Sequence, residues 1–240
     1  MPMPCKTLYI AEQTAWKPKE WRPFVIVSCA ISLDGKLASA CGDVRLSSFD
    51  DKVEVHKLRS MVDAILVGIN TILRDNPHLT VSEKYYRSDN HPIRVVLDSR
   101  CRIPLDAEVI TRRPEVRTIV ATTRLAPKEK IEKLKRRGVD VVVMGNSKVD
   151  LKKLLRYLRD EYNVKILMVE GGGYVLGSFF REGLVDYLRV SITPVLFGDG
   201  EAVSMIRGAV FCKIEDSPKL RLEKIEICGH NVILHFAVSS

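Results

Sequence analysis

A glycine-rich segment late in the chain is the strongest candidate for ligand binding. Glu170 ends an apolar run and is followed by three consecutive glycines, and Gly177 comes four positions after the last of them. Glycines let the backbone approach a ligand closely, and the N–H groups at the start of the following helical pattern favour an anion such as a pyrophosphate. The spacing G-x-G-x-x-x-G departs from the Rossmann fingerprint, so an orthodox Rossmann domain is not expected. The same glycines would also serve a tight strand-to-helix turn, and both interpretations stay open.

Three further polar segments follow apolar runs, and each contains residue types that contact nucleotides or sugar phosphates. They cover residues 32–36, 67–80 and 97–100. In an open α/β sheet, ligands lie beyond the carboxyl ends of the strands, where these segments are expected. Carboxylates accept hydrogen bonds from ribose hydroxyls, hydroxyl groups donate to phosphate oxygens, and Ser99 with Arg100 has the chemistry to hold a 2′-phosphate. Each segment is also explained by a capped or polar turn, above all the Asp-Gly pair of the first one.

The elements that would position these segments alternate between short apolar runs and helical patterns. This alternation is typical of βα units that wind a largely parallel sheet with helices on its faces. One helix is predicted between Pro127 and Gly138, and another after Asp150, a capping residue that precedes an apolar stripe of leucines. After Gly183 no long helix intervenes, which predicts antiparallel strands at the C-terminal end. The predicted strands are 24–33, 64–68, 94–98, 118–122, 140–144, 165–170, 185–193 and 231–238.

The composition is that of a globular protein with an excess of basic side chains. The 240 residues are 46% hydrophobic and 28% charged, with a net charge of +8. These values argue against long disordered regions, and the charge suits a dinucleotide, a sugar phosphate or RNA. No apolar stretch approaches the roughly 18 residues of a membrane span, and the N-terminus lacks a signal-peptide pattern, so we expect a cytoplasmic protein. We predict an N-terminal extension over residues 1–22 and a single domain over residues 23–240.

The six cysteines and five histidines form no pattern typical of a metal site. The cysteines are scattered without a C-x-x-C pair, and the histidines lack the H-E-x-x-H spacing. We therefore expect neither a zinc ribbon nor a catalytic metal. The cysteines are predicted to be buried, reduced thiols.

Taken together and in order, the polar segments resemble the reductase family of riboflavin biosynthesis, whose fold is similar to that of dihydrofolate reductase. The resemblance runs from about Pro23 to Pro194. The deaminase signature that accompanies bacterial members, H-x-E with P-C-x-x-C, is absent, so the chain is similar to the stand-alone archaeal and fungal form. The segments that carry the resemblance read RPFVIVSCAISLDGKLA, HKLRSMVDAILVGINTILRDNPHLT, RVVLDSRCRIP, VEGGGYVLGSFF and DYLRVSITPVLFGDG.

The resemblance implies an activity, a cofactor, an assembly and a set of contacts. The activity is reduction of 2,5-diamino-6-(ribosylamino)-4(3H)-pyrimidinone 5′-phosphate to its ribitylamino product by NADPH, with NADH as the alternative, in a homodimer. The implied substrate contacts are Arg59, Leu79 and Glu170. The cofactor candidates are Thr71, Asp75, Ser99, Arg100, Val143, Met144, Gly171, Gly172, Gly173, Tyr174 and Val175.

Two positions in the segment 67–82 depart from the family's pattern. Asn76 replaces the second Asp of the usual D-D-P, and Ser82 stands where bacterial members often place an arginine. The phosphate contacts of those members are therefore not carried over at these positions.

Proton transfer must accompany the reduction, and three side chains are candidates for it. A ribosylamine offers an electrophilic C1′ when its furanose opens to an imine, and protons then move at the ribose oxygen and the imine nitrogen. Asp34, Lys36 and Glu170 are the candidate catalytic residues, because each follows or ends a predicted strand on the expected ligand side. A turn-stabilising carboxylate for Asp34 and a solvated lysine for Lys36 are the alternatives.

Two other functions stay open at this point. One is a reductase of the same fold that acts on a pterin or folate. The other is an RNA-binding protein, which the basic clusters 112–113 and 128–137 would suit. The second cluster also fits the exposed face of one amphipathic helix, and no aromatic-rich RNA-binding motif accompanies it, so we expect no nucleic-acid partner.

Overall fold

Twelve β-strands and six α-helices make up the part of the chain that the structure, a computed structural model, describes, namely residues 5–239. The strands are β1 (Lys6–Tyr9), β2 (Phe24–Ser32), β3 (Lys36–Ala38), β4 (Ala64–Gly68), β5 (Ile93–Leu97), β6 (Thr118–Thr122), β7 (Asp140–Val143), β8 (Ile166–Gly171), β9 (Tyr187–Thr193), β10 (Val203–Ser204), β11 (Lys219–Cys228) and β12 (Asn231–Ser239). The helices are α1 (Phe49–Met61), α2 (Ile69–Asp75), α3 (Glu108–Thr111), α4 (Lys128–Lys135), α5 (Leu151–Tyr162) and α6 (Gly173–Arg181).

The described residues fall into two compact units. The first unit comprises residues 5–16, 25–58 and 169–239, and the second comprises residues 17–24 and 59–168. The boundary between the units therefore falls inside β2, α1 and β8, and also between Trp16 and Lys17.

The second unit is built on parallel strands in the order β4-β5-β6-β7. The central residues of β4, β5 and β6 are β-branched or leucine and fully buried, as in Ile65, Val95 and Val120, which is typical of parallel strands covered on both faces. Helix α5 begins where its sequence predicts, because the Asp150 carboxylate accepts a hydrogen bond of 3.0 Å from the Lys153 N–H. Its buried side chains are Leu151, Leu154, Leu155 and Leu158, which confirms the predicted stripe.

The first unit combines antiparallel and parallel pairing. Its strands follow the order β1-β11-β12-β9-β2, and only β9 and β2 run parallel to each other. The parallel register places Ser32 opposite Thr193, so the carboxyl ends of β2 and β9 lie side by side. A separate antiparallel ribbon joins β3 and β10.

The predicted α/β class, with a largely parallel sheet and antiparallel C-terminal strands, is confirmed. All eight predicted strands exist, and their ends differ from the predicted ones by two residues or fewer. Four strands, β1, β3, β10 and β11, were not predicted. Strand β1 lies within the proposed N-terminal extension and pairs with β11, and nearby Thr14 Oγ1 donates a hydrogen bond of 2.6 Å to the buried carboxylate of Glu223. The division into an extension and one domain stays a prediction.

The prediction that all cysteines are buried, reduced thiols is wrong. Cys5 and Cys228 form a disulfide, with Cα atoms 4.6 Å apart. Cys41 and Cys212 are exposed free thiols, and only Cys29 and Cys101 are buried free thiols as expected. The sequence could not reveal the pair because its two members lie 223 positions apart and meet only through the pairing of β1 with β11. Within residues 5–239, no helix is long and apolar enough to span a bilayer.

Candidate active site

The carboxyl ends of β4, β5, β6 and β7 form one edge of the second unit, and about half of the predicted cofactor residues lie along it. The strand register pairs Gly68 with Leu97, and Leu97 with Ala121. Thr71 lies in the first turn of α2 directly after β4, and Ser99 follows β5 by two residues. At the far end of this edge, β7 ends at the half-exposed Val143 and is followed by Met144. The parallel sheet therefore brings these separate motifs to a single edge, as predicted.

The turn after β5 is held from both sides by buried polar groups. The Asp98 carboxylate accepts a hydrogen bond of 2.7 Å from the Ile103 N–H, and burial raises the pKa of Asp98 above its ordinary value. Thr123 Oγ1 donates a hydrogen bond of 2.7 Å to the Ser99 carbonyl. The side chain of Arg100 is exposed on the same turn. Ser99 and Arg100 thus lie on a turn that these two hydrogen bonds hold, and Thr123 is a supporting residue that sequence reasoning missed.

The departure at Asn76 has a structural explanation. Helix α2 ends with Asp75, and Asn76 adopts a left-handed conformation with φ of 39°. Asparagine tolerates this region better than most residues. Its Oδ1 accepts a hydrogen bond of 2.9 Å from the Glu108 N–H at the start of α3. The amide therefore connects the end of α2 with α3, and Asp75 stays at the surface.

The two predicted substrate residues of this unit, Arg59 and Leu79, are connected by one hydrogen bond. Arg59 Nη1 donates to the carbonyl of Thr80, the residue after Leu79, at 3.1 Å. Leu79 has φ of 51° and is only 1% exposed. A leucine in the left-handed region costs on the order of 1–3 kcal/mol, and such strain is concentrated at functional sites. Because its side chain is buried, any contact of Leu79 with a ligand is made by its backbone.

In the first unit, the glycine-rich segment forms the end of β8 and the start of α6. Gly171 has φ of 127°, a conformation that L side chains rarely adopt, and the space where a side chain would begin is open. Gly172 precedes the helix, and within residues 5–239 no side chain caps the N–H groups of its first turn. Tyr174 is 62% exposed in that turn, and Glu170 is half-buried one residue before Gly171. These features fit a pyrophosphate, because uncapped helix N–H groups and a backbone without side chains favour a bound anion.

Asp34 and Lys36 lie in and after the turn that joins β2 to β3. Ser32 Oγ donates to the Asp34 carboxylate at 2.6 Å, and the N–H groups of Phe197 and Gly198 donate to it at 3.1 and 2.8 Å. These hydrogen bonds lower the pKa of Asp34 to about 2, so the carboxylate is ionised at neutral pH. Lys36 Nζ donates to Ser204 Oγ at 3.4 Å. The contacts of Asp34 favour the turn-stabilising interpretation, and the catalytic roles of both residues stay predictions.

Comparison with known proteins agrees with the resemblance found in the sequence. The family model of the RibD C-terminal domain matches residues 23–234. A protein of Archaeoglobus fulgidus named 2,5-diamino-6-ribosylamino-4(3H)-pyrimidinone 5′-phosphate reductase is 39% identical over 227 residues, which cover 91% of this chain and 98% of that protein. A protein of the same name from Methanothermobacter thermautotrophicus is 37% identical over 217 residues, which cover 90% of this chain and 99% of that protein.

Solved structures with a similar fold include two proteins of riboflavin biosynthesis. RibD of Acinetobacter baumannii matches with a TM-score of 0.80 and 26% identity, over 92% of this chain and 59% of that longer chain. The riboflavin biosynthesis reductase Rib7 of Saccharomyces cerevisiae matches with a TM-score of 0.69 and 24% identity, over 95% of this chain and 93% of the yeast chain. The yeast likeness concerns the fold alone.

Proposed function

Because the chain belongs to the RibD C-terminal domain family, we propose that it reduces 2,5-diamino-6-(ribosylamino)-4(3H)-pyrimidinone 5′-phosphate to the corresponding ribitylamino compound. The observation that carries this proposal is the similarity to the Archaeoglobus fulgidus protein that is named as a reductase of this pyrimidinone phosphate. The alignment covers 98% of the length of that protein. The segments compared therefore include nearly the whole of a protein with the named activity. The reaction class is that of an oxidoreductase in riboflavin biosynthesis.

The cofactor in this proposal is NADPH. When bound, NADPH supplies the hydride that reduces C1′ of the substrate. Gly171, Gly172 and the first turn of α6 would hold its pyrophosphate, because they present backbone N–H groups without a capping side chain. Ser99 and Arg100 would hold the 2′-phosphate, since the guanidinium group pairs well with phosphate and Arg100 is exposed on a turn held by Asp98. This last contact is the reason for preferring NADPH to NADH.

The protein's other candidate residues have positioning and proton-transfer roles. Arg59 would bind the substrate phosphate, and Glu170 the ribose hydroxyls. As C1′ is reduced, the imine nitrogen gains a proton, and we assign this step to Lys36, whose ammonium group already donates to Ser204 Oγ. Asp34, ionised and fixed by three hydrogen bonds, keeps the turn that carries Lys36 in place.

The assembly and location in this proposal follow the family resemblance. We propose a homodimer in the cytoplasm whose only ligands are NADPH and the pyrimidine phosphate, with no nucleic-acid partner. Sedimentation velocity over a range of protein concentrations tests the dimer. Filter binding of RNA at about 150 mM salt tests the last statement, since purely electrostatic association is weakened at that ionic strength.

The decisive experiment follows the absorbance of reduced nicotinamide in four combinations of reagents. NADPH or NADH is mixed with the purified protein and with either the pyrimidine phosphate or dihydrofolate. We expect turnover with the pyrimidine phosphate and a lower KM for NADPH than for NADH. Turnover of dihydrofolate in place of the pyrimidine would contradict the proposal.

The variant Glu170→Gln tests the ribose contact within this experiment, with Glu161→Gln as the control on an exposed position of α5. We expect Glu170→Gln to change kcat, KM or both, and Glu161→Gln to change neither. Wild-type values of kcat and KM for Glu170→Gln would exclude a role of Glu170 at the ribose.

A further inference from the structure

The segment Glu201–Gly208, called the strap below, connects the Lys36 turn with helix α6 inside the first unit. Its residues Val203 and Ser204 form β10 and pair with β3, where Ser204 lies opposite Lys36. The Met205 N–H donates to the Gly35 carbonyl at 3.0 Å, and Ser204 Oγ accepts from Lys36 Nζ at 3.4 Å. One end of the strap is thus fixed to the turn that carries the proposed proton donor.

The other end of the strap lies directly on α6. The Arg207 N–H donates to the Gly173 carbonyl at 3.0 Å. A Cβ atom at Gly173 would lie 2.5 Å from the Ser204 carbonyl oxygen, and one at Gly177 would lie 1.9 Å from the Arg207 carbonyl oxygen. Both distances are far below van der Waals contact, so these glycines are needed for the strap to lie on the helix. Gly177, which completes the glycine pattern of the sequence, is therefore a packing residue for the strap.

The side chain of Arg207 holds the strap in its curved path. Its Nη2 atom donates to the carbonyl oxygens of Glu201 and Ala202 at 3.2 and 2.9 Å. Beyond Arg207, the Gly208 carbonyl accepts a hydrogen bond of 2.8 Å from Arg181 Nη1 at the end of α6. A guanidinium group bonded to two backbone carbonyls fixes a loop more firmly than a single hydrogen bond does.

We propose that the strap sets the position of the Lys36 turn relative to the start of α6, and that Arg207 and Gly177 are positioning residues for the reduction. The inference rests on the proposed function, since it assumes that NADPH binds at the start of α6 and that Lys36 donates a proton. The strap contacts both elements, so a shift of its backbone changes the position of one of them relative to the other. A misplacement of about 1 Å at a reacting centre lowers a rate by up to about a hundredfold.

The test compares Arg207→Met, Arg207→Lys and Gly177→Ala with the control Gly200→Ala. Gly200 lies next to the strap, and a Cβ atom there meets nothing within 4 Å. We expect Arg207→Met to lower kcat about tenfold or more. Arg207→Lys should lower kcat less than Arg207→Met does, and Gly177→Ala should lower kcat about as much as Arg207→Met. The control should keep the wild-type kcat. The midpoint of thermal unfolding is measured for each variant, because a purely structural role would lower the midpoint and leave kcat of the folded protein unchanged.

Hydrogen exchange measured by mass spectrometry gives a readout that does not depend on activity. In Arg207→Met, the amides of residues 34–36 and 172–176 should exchange faster than in the wild type, and those of Gly200→Ala should not. Wild-type exchange and wild-type kcat in both Arg207→Met and Gly177→Ala would overturn the inference. If the wild type itself does not reduce the pyrimidine, the proposed function fails, and the exchange rates alone then decide whether the strap fixes these two segments. Should Gly177→Ala not fold, the two Arg207 variants decide.

Discussion

At the scale of single residues, Asp34 shows how a side chain suited to proton transfer can instead serve only as a hydrogen-bond acceptor for its own turn and for the loop after β9. Its carboxylate accepts hydrogen bonds from one hydroxyl and two backbone N–H groups, which lower its pKa to about 2. A carboxylate with this pKa has no proton to donate at neutral pH. Lys36 has the opposite character, because its ammonium group is a hydrogen-bond donor, which contacts the hydroxyl oxygen of Ser204.

The first prediction concerns the pH dependence of stability that Asp34 causes. Since its folded pKa of about 2 lies below the ordinary value of 3.8, Asp34 contributes stability that is present above pH 3.8 and lost as the pH falls towards 2. The variant Asp34→Asn should lack this part of the pH dependence, while Asp160→Asn, at an exposed position of α5, should keep it. Urea midpoints of the three proteins at several values between pH 3 and pH 6 measure the difference, and parallel curves for wild type and Asp34→Asn would contradict the assignment. At neutral pH Asp34→Asn should lower kcat and the urea midpoint together, because the turn that carries Lys36 loses its ionised acceptor. A loss of kcat of about 10²-fold or more with a wild-type midpoint would instead assign proton transfer to Asp34.

The second prediction concerns the choice between the two nicotinamide cofactors. If Arg100 pairs with the 2′-phosphate, Arg100→Gln should raise the KM for NADPH about tenfold or more and leave the KM for NADH unchanged, because a charge-assisted hydrogen bond contributes about 1.5–3 kcal/mol. Arg136→Gln, at an exposed position after α4, is the matched control. Steady-state kinetics with both cofactors give the answer. An equal rise of the KM values for NADPH and NADH would show that Arg100 does not act through the 2′-phosphate.

At the scale of elements, the buried strands could be predicted because short runs of apolar and β-branched residues favour a buried strand over other secondary structure. The runs in β4 and β6 are apolar or β-branched and buried throughout, so their composition alone marks them as strands. Strand β11 escaped prediction because charged side chains interrupt it and only a few of its positions are buried. Strands β3 and β10 contain three and two residues, too few to produce a periodic pattern.

The candidate site could be predicted only where its residues form motifs. The glycine segment and the turns after β2, β4 and β5 are recognisable because the candidate ligand-binding residues are contiguous there. Thr123 and Arg207 act through backbone carbonyls of loops, and their own neighbours in the sequence carry no signal. Ser204 meets Lys36 across 168 positions of the chain, a separation that no local pattern can indicate. Supporting residues of this kind require the tertiary structure.

The third prediction concerns the junction of β8 and α6. Gly171→Ala places an L side chain at φ of 127°, which is strained even though the space is open. We expect a loss of stability of about 1–3 kcal/mol and weaker binding of NADPH, since the junction would relax away from the conformation that presents the first N–H groups of α6. Denaturant unfolding and fluorescence titration with NADPH measure the two effects. Gly200→Ala, without strain or close neighbours, should change neither quantity.

At the scale of the whole molecule, the Cys5–Cys228 disulfide connects the two ends of the described chain within the first unit. It closes a loop of 223 positions and fastens β1, whose residues are all exposed and whose strand pairing is with β11. Cross-links that close long loops stabilise mainly by restricting the unfolded chain. Disulfides are also uncommon in a reducing cytoplasm. Whether Cys5 and Cys228 are oxidised in cells therefore bears on the proposed location.

The fourth prediction follows from this cross-link. Under oxidising conditions Cys5→Ser should lower the free energy of unfolding by about 2–4 kcal/mol, and Cys212→Ser, which removes an exposed free thiol, should leave it unchanged. With excess dithiothreitol the wild type should fall to the stability of Cys5→Ser, because both then lack the cross-link. Urea unfolding in the two buffers measures these differences, and thiol labelling of protein trapped directly from cells tells whether the disulfide forms there.

If Cys5→Ser matches the oxidised wild type, β1 is held by its strand pairing and the cross-link is dispensable. If labelling finds all six cysteines reduced, the stability relevant to the enzyme in cells is that of the reduced form.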